Sequence, residues 1–187
     1  NRKRQVSFRR IERFGAELTL FQNSALAAEF FAELSPVRDA ELAVDPTSDQ
    51  LTLSAARGLF KLLAYKDEYE AARLYTDGRF MEQINQQLEG DFSLRLHMAP
   101  PLIAQRDQTS GHLKKREFGP WMLKAMPLLA RMRGLRGGAF DIFGRTAERR
   151  MERQLITDYE TTMAEVLAGL NHDNYAMAAK IAEVPDR

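Results

Sequence analysis

The chain has 187 residues, of which 44% are hydrophobic and 28% charged, with a formal net charge of +1 at pH 7 and no cysteine. This length suits a single domain with a full hydrophobic core. The lack of cysteine excludes disulfides, thiolate metal sites, cysteine-held iron–sulfur clusters and cysteine nucleophiles from this chain.

Residues 5–34 read as a first helix, because Val6, Ile11, Phe14, Leu18, Phe21, Leu26 and Phe30 recur at helical spacing. Pro36 is expected to end it, and residues 35–49 read as a loop with at most a short helical piece around 39–43. Residues 1–50 are set apart as a helical appendage. A central helix follows, capped by Ser48 or Asp49 and running to about Tyr75. Its first half is apolar on every side, so it must be covered on every side. Its apolar stripe then continues into Lys66, Glu70 and Arg73, with a break or bend expected near 65–67. Asp77-Gly78 marks a turn, and a short helix over 79–88 is stopped by Gly90.

The period then changes. Phe92, Leu94, Leu96 and Met98 alternate with polar residues, which predicts a strand over 92–98 stopped by Pro100-Pro101. After a polar loop at 105–111, residues 113–118 can return as its partner in an antiparallel ribbon. Pro120 opens a helix over 121–132 that Pro127 should kink. The glycine-rich stretch GGAFDIFG (137–144) is expected to tuck its aromatics into the core, and Trp121 to act as a core anchor. The clearest helix spans 146–168, with Met151, Leu155, Tyr159, Thr162, Val166 and Leu170 on one face. Asn171 caps a last helix that reaches about 183. The fold class is therefore mainly α (α+β): one helical domain with a small two-stranded antiparallel ribbon near residues 92–98 and 113–118.

Chemical signals are sparse. Dinucleotide, phosphate-loop, zinc-protease and nucleophile-elbow motifs are absent, and His97, His112 and His172 are scattered without metal-ligand spacing. Two candidate sites remain. Lys66, Glu70 and Arg73 form a candidate polar cluster, which must be mutually paired if buried. The stretch 112–153 carries eleven Lys or Arg against four acids. Within it Lys114, Lys115, Arg116, Arg145, Arg149 and Arg150 form a candidate anion face. Glu148 and Glu152 lie at helical spacing from the arginines, so internal pairing accounts for much of that charge.

Four runs add a resemblance: LFKLLAYKDEYEAARLYTDGRF (59–80), LHMAPPLIAQRD (96–107), KKREFGPWM (114–122) and LRGGAFDIFGRTAERRMERQLITDYE (135–160). In this order they resemble the C-terminal region of the single-chain indolepyruvate ferredoxin oxidoreductases, a functionally unassigned part of these 2-oxoacid:ferredoxin oxidoreductases. The resemblance spans roughly residues 53–187. It implies a parent chain much longer than this one, which uses thiamine diphosphate and [4Fe-4S] clusters to convert 2-oxo acids and coenzyme A to acyl-CoA and passes electrons to ferredoxin. No catalytic, cofactor-binding or metal residue carries over, because the thiamine-binding and cysteine motifs of that family are absent from this stretch. The expected partners are the catalytic domains of the parent chain and a second copy in a homo-oligomer, in the cytoplasm, with no membrane and no nucleic acid.

The leading expectation is thus a non-catalytic structural and interaction domain. Beside it stand an independent binding module that takes coenzyme A or nucleic acid on the 114–153 basic face, and a self-contained hydrolase built on the Lys66 region.

Overall fold

The computed structural model describes residues 2–98 and 114–186, with the side chains of residues 2–4 left aside. Eight helices and a two-stranded antiparallel sheet make up the described residues, so the fold is mainly α. The chain divides into two compact units, Asn1–Tyr65 with Ala147–Arg187, and Lys66–Thr146.

The first unit is built around α3 (Gln50–Leu63), which packs against α1 (Arg2–Phe21), α2 (Ser24–Val44), α7 (Ala147–Ala168) and α8 (Tyr175–Ala182). Leu51, Ala55, Ala56 and Leu59 of α3 are all buried, as an all-round apolar helix requires. Residues 1–50, set apart in the sequence as an appendage, supply Leu18 and Phe30 to the same core, both fully buried.

The expected first helix is two helices. Asn23 separates them, its side chain accepting a hydrogen bond from the Leu26 amide at 3.0 Å as the cap of α2. Pro36 does not end α2, which continues through it to Val44. A proline inside a helix costs about 3 kcal/mol. Here Phe30, Leu34 and Val37 lie along the buried stripe while Pro36 faces water, so core burial on both sides of the proline offsets that cost.

Gly58 is where α3 meets the C-terminal segments most closely. A Cβ at this position would lie 2.5 Å from the Ala182 carbonyl oxygen and 2.8 Å from the Tyr159 hydroxyl. Those two groups are themselves bonded, Tyr159 donating to the Ala182 carbonyl at 2.8 Å. Gly58→Ala is therefore expected to destabilise the protein by about 1–3 kcal/mol through overpacking, although alanine is the better helix former. Thermal unfolding checks this; a Gly58→Ala protein more stable than wild type would show that the contact relaxes freely.

On α7 the buried stripe differs from the expected one. Met163 is buried and Tyr159, Val166 and Leu167 pack on the core, whereas Met151 and Leu155 are exposed. The expectation that these two tie the helix start to the core is corrected. The first turns of α7 present Ile156 and Glu152 on the better-covered side instead.

The second unit contains α4 (Glu68–Thr76), α5 (Arg79–Gln87), β1 (Leu96–Met98), β2 (Arg116–Phe118) and α6 (Trp121–Arg131), the last followed by a 3-10 turn at Met132–Leu135. The break expected near 65–67 falls between α3 and α4. The ribbon pairs Leu96 with Phe118 and Met98 with Arg116. Leu96 faces Ala72 and Met126 in a small core, and α4 packs along α6. Pro127 sits within α6 without ending it. Trp121 is exposed, not a core anchor, and its ring leans edge-on against Phe118. The Pro100-Pro101 stop, the polar loop at 105–111 and His112 lie outside the described residues.

Candidate functional site

Two buried polar networks account for most of the charge removed from water, one in each unit. Neither consists of the residues singled out in the sequence.

In the second unit, Asp67 and Arg136 form a bidentate ion pair, with Nε to Oδ2 at 2.6 Å and Nη2 to Oδ1 at 2.8 Å. Both side chains are only 3% exposed. Asp67 also caps α4, accepting from the Glu70 amide at 2.8 Å. The arginine side chain lies over the Tyr69 ring, 5.5 Å from its centroid. Tyr69 is fully buried and donates its hydroxyl to Asp141 Oδ1 at 3.2 Å. The remaining capacity of Asp141 is taken by backbone amides: Gly137 at 2.8 Å, Phe143 at 3.2 Å and Gly144 at 2.9 Å.

This carboxylate organises the whole 137–144 loop around itself. Gly137 has φ +75°, and a Cβ on Gly144 would lie 2.3 Å from Asp141 Oδ2, so both glycines are required by the wrapping. The expectation that the loop tucks its aromatics inside holds for Phe143, which is buried edge-on against Tyr69. It fails for Phe140, which is 79% exposed. Phe143, the aromatic that turns inward, is the one whose own amide bonds to Asp141.

Burial, reinforced by the Asp141 carboxylate, pushes the Tyr69 phenol up to about 12 from its ordinary 10. A phenol whose folded value is raised contributes stability below pH 10 and loses it between about pH 10 and 12. Wild type is therefore expected to lose on the order of 2 kcal/mol more than Tyr69→Phe over that interval. Urea unfolding at several alkaline pH values measures the difference. Equal slopes for the two proteins would show that Tyr69 ionises as freely when folded as when unfolded.

In the first unit, the network centres on Glu41, which is fully buried at the end of the apolar stripe of α2. Asp49 is the residue before α3 but makes no side-chain cap bond, and the only helix amide the Ser48 hydroxyl takes is that of Gln50, at 3.3 Å, beside the Tyr175 hydroxyl at 2.7 Å. Glu41 does most of the capping. Its Oε1 accepts from the Leu51 amide at 2.8 Å and its Oε2 from the Thr52 amide at 3.2 Å and the Thr52 hydroxyl. Tyr175 adds a hydroxyl at 2.6 Å, and Arg38 adds Nη1 at 3.3 Å. A carboxylate at a helix N-terminus is favoured by the exposed amides and the helix dipole. Burial, with the hydrogen bond to Glu41, pushes the Tyr175 phenol up. Beside this network lies a groove of about 410 Å³, where Phe8, Ile11, Phe31 and Leu34 face Arg38 and Asp49.

The sequence-selected residues fall as follows. Glu70 and Arg73 are a bidentate pair at 2.7 and 2.8 Å on α4, largely covered, while Lys66 is exposed before the helix. The candidate anion face is divided between the units: Lys114, Lys115, Arg116 and Arg145 belong to the second, Arg149 and Arg150 to the first. Lys114, Lys115, Arg116, Arg145 and Arg150 are exposed. Arg145 donates to the Ala139 carbonyl at 3.0 Å. Arg149 pairs with Glu152 at 2.5 Å and lies over the Tyr65 ring at 5.1 Å. Sequence reasoning did not select Glu41, Asp67, Tyr69, Arg136 or Asp141. A signal existed for Asp67, which stands three residues before Glu70 as a capping aspartate does. For Glu41, Tyr69 and Arg136 the decisive partners are too distant in sequence for spacing to reveal them, whereas three of the four bonds to Asp141 come from within four residues, in a glycine-rich turn.

Among the described residues, no three His, Asp or Glu side chains gather as a metal site would need. Also among them, no helix is long and apolar enough to cross a membrane. A family of unknown function (DUF6537) matches residues 9–187. The chain belongs to that family. The match takes in the helices before residue 50 as well as both buried networks, so the family is defined over both compact units. No curated protein and no solved structure matches the chain.

Proposed function

We propose that this domain is a non-catalytic structural and interaction domain of a 2-oxoacid:ferredoxin oxidoreductase, whose parent chain would supply the thiamine diphosphate, the [4Fe-4S] clusters and the coenzyme A chemistry. The observation that carries the reading is the saturation of the buried network. Asp67 and Arg136, and likewise Tyr69 and Asp141, come from the 59–80 and 135–160 runs that resemble that enzyme family. Asp67 receives three hydrogen bonds and Asp141 four. A carboxylate so occupied has little capacity left to exchange a proton with a substrate. These groups join α4 to the 137–144 loop, which is a structural task.

The covered Glu70–Arg73 pair weighs against a hydrolase at that position, because its carboxylate is already engaged by a guanidinium. The engagement of Arg149 by Glu152 and Tyr65 weighs in the same direction against a dedicated phosphate site.

Purification of the endogenous product tests the proposal. A polypeptide several times longer than this chain is expected, reducing a viologen dye when given a 2-oxo acid and coenzyme A. A product of this length alone, or a long one inert towards every 2-oxo acid tried, would overturn it.

A further inference from the structure

We infer that the groove between α1, α2 and the start of α3 is a binding site for a free α-amino acid with a large apolar side chain, its ammonium on Asp49 and its carboxylate on Arg38. The inference does not rest on the function proposed above.

The described residues that line the groove all belong to the first compact unit. Its volume of about 410 Å³ falls within the range of small-molecule sites, roughly 300–1,000 Å³. Phe8, Ile11, Phe31 and Leu34 give it an apolar wall. The Phe31 ring is held in that wall from behind. It lies so close to α1 that a Cβ on Gly15 would overlap its Cζ, and it meets Phe30 edge-on with the ring centroids 5.4 Å apart. A wall already in place takes up an apolar side chain with little ordering cost.

Asp49 is the observation that points to a ligand. Its side chain makes no hydrogen bond or ion pair, and one carboxylate oxygen, Oδ2, is buried without a partner. The capping that its position before α3 would ordinarily give falls to Glu41. The dipole of α3 makes a carboxylate tolerable there but fills none of its lone pairs. A group that satisfies it must donate, as an ammonium does.

Arg38 stands beside it with the opposite chemistry. Its Nη1 is taken by Glu41 at 3.3 Å and by the carbonyl of Ser48, the residue before Asp49, at 3.1 Å. Nε and Nη2 are left over on a side chain that is 33% exposed. The guanidinium and the Asp49 carboxylate thus line one groove without pairing with each other. An α-amino acid carries its ammonium and its carboxylate on one carbon, so it answers both and leaves its side chain for the apolar wall. Glu12, exposed on the same lining, disfavours a ligand that is only an anion.

Photo-labelling of the full-length protein with photo-leucine, the diazirine analogue of leucine, tests the site. Labels are expected in the peptides that carry Phe8 and Ile11 or Phe31 and Leu34. Excess L-leucine or L-phenylalanine should suppress them. N-acetyl-leucine, which has no ammonium, and isoamylamine, which has no carboxylate, should not. Full-length Asp49→Asn should lose about tenfold or more of the labelling, the worth of a charge-assisted hydrogen bond. Its melting temperature should stay that of wild type, because no described side chain or amide bonds to that carboxylate. Labels scattered over other exposed apolar residues such as Trp121 overturn the site. Equal suppression by N-acetyl-leucine or isoamylamine overturns it too, as does labelling that survives Asp49→Asn.

Discussion

Arg136→Ala is expected to lower the unfolding free energy by about 3–5 kcal/mol, because it leaves an uncompensated carboxylate in the interior. Asp67 would keep only its bond from the Glu70 amide, in a site where its side chain is 3% exposed. The arginine also covers the Tyr69 ring, so packing is lost along with charge. Asp67→Ala should cost at least as much, since it removes the cap of α4 together with both carboxylate bonds to the buried guanidinium. The paired change Asp67→Leu with Arg136→Met should recover much of the loss, as apolar replacements of buried pairs do. The single tryptophan, Trp121, lies in the same unit, so its fluorescence during urea unfolding reports where the effect is expected. A double-mutant cycle with no coupling between Asp67 and Arg136 would refute the account.

Glu41→Ala is expected to be the most damaging single change in the first unit, at about 3–5 kcal/mol. It would strip the Thr52 amide of its acceptor at the start of the central helix and leave the Leu51 amide only the long contact to the Tyr175 oxygen at 3.4 Å, while the Tyr175 hydroxyl falls back on Ser48 at 2.7 Å. Arg38 would retain the Ser48 carbonyl at 3.1 Å, so the cation is not stranded. Glu41→Gln should cost roughly half as much, since its amide oxygen can still accept and the two hydroxyls can reorient to meet the new donor. Hydrogen exchange at Leu51 and Thr52 and the unfolding midpoint both measure this. If Glu41→Gln proves as costly as Glu41→Ala, negative charge at the helix start matters more than acceptor geometry.

The polar cluster shows how far spacing alone reaches. Helical spacing placed Glu70 and Arg73 together, and they are together, because residues three apart on a helix meet whatever surrounds them. The same reasoning extended the stripe to Lys66, but the chain leaves α3 at Leu63 and re-enters a helix at Glu68, so Lys66 is not on that face. On α7, spacing found Tyr159 and Val166 but assigned Met151 and Leu155 inward, since apolar character does not say which turns of a helix have a neighbour.

The sequence by itself determined the mainly α class, the all-round burial of α3, the ribbon and the positions of most breaks. These follow from periodicity, proline, glycine and capping chemistry, which act over a few residues. Tertiary structure decided which charges are buried. Glu41 bonds to residues 10, 11 and 134 positions away, Asp67 to Arg136 across 69, and Tyr69 to Asp141 across 72. A carboxylate is soluble and unremarkable until the fold brings donors to it. Only then does removal from water become tolerable, because several hydrogen bonds replace those lost to solvent.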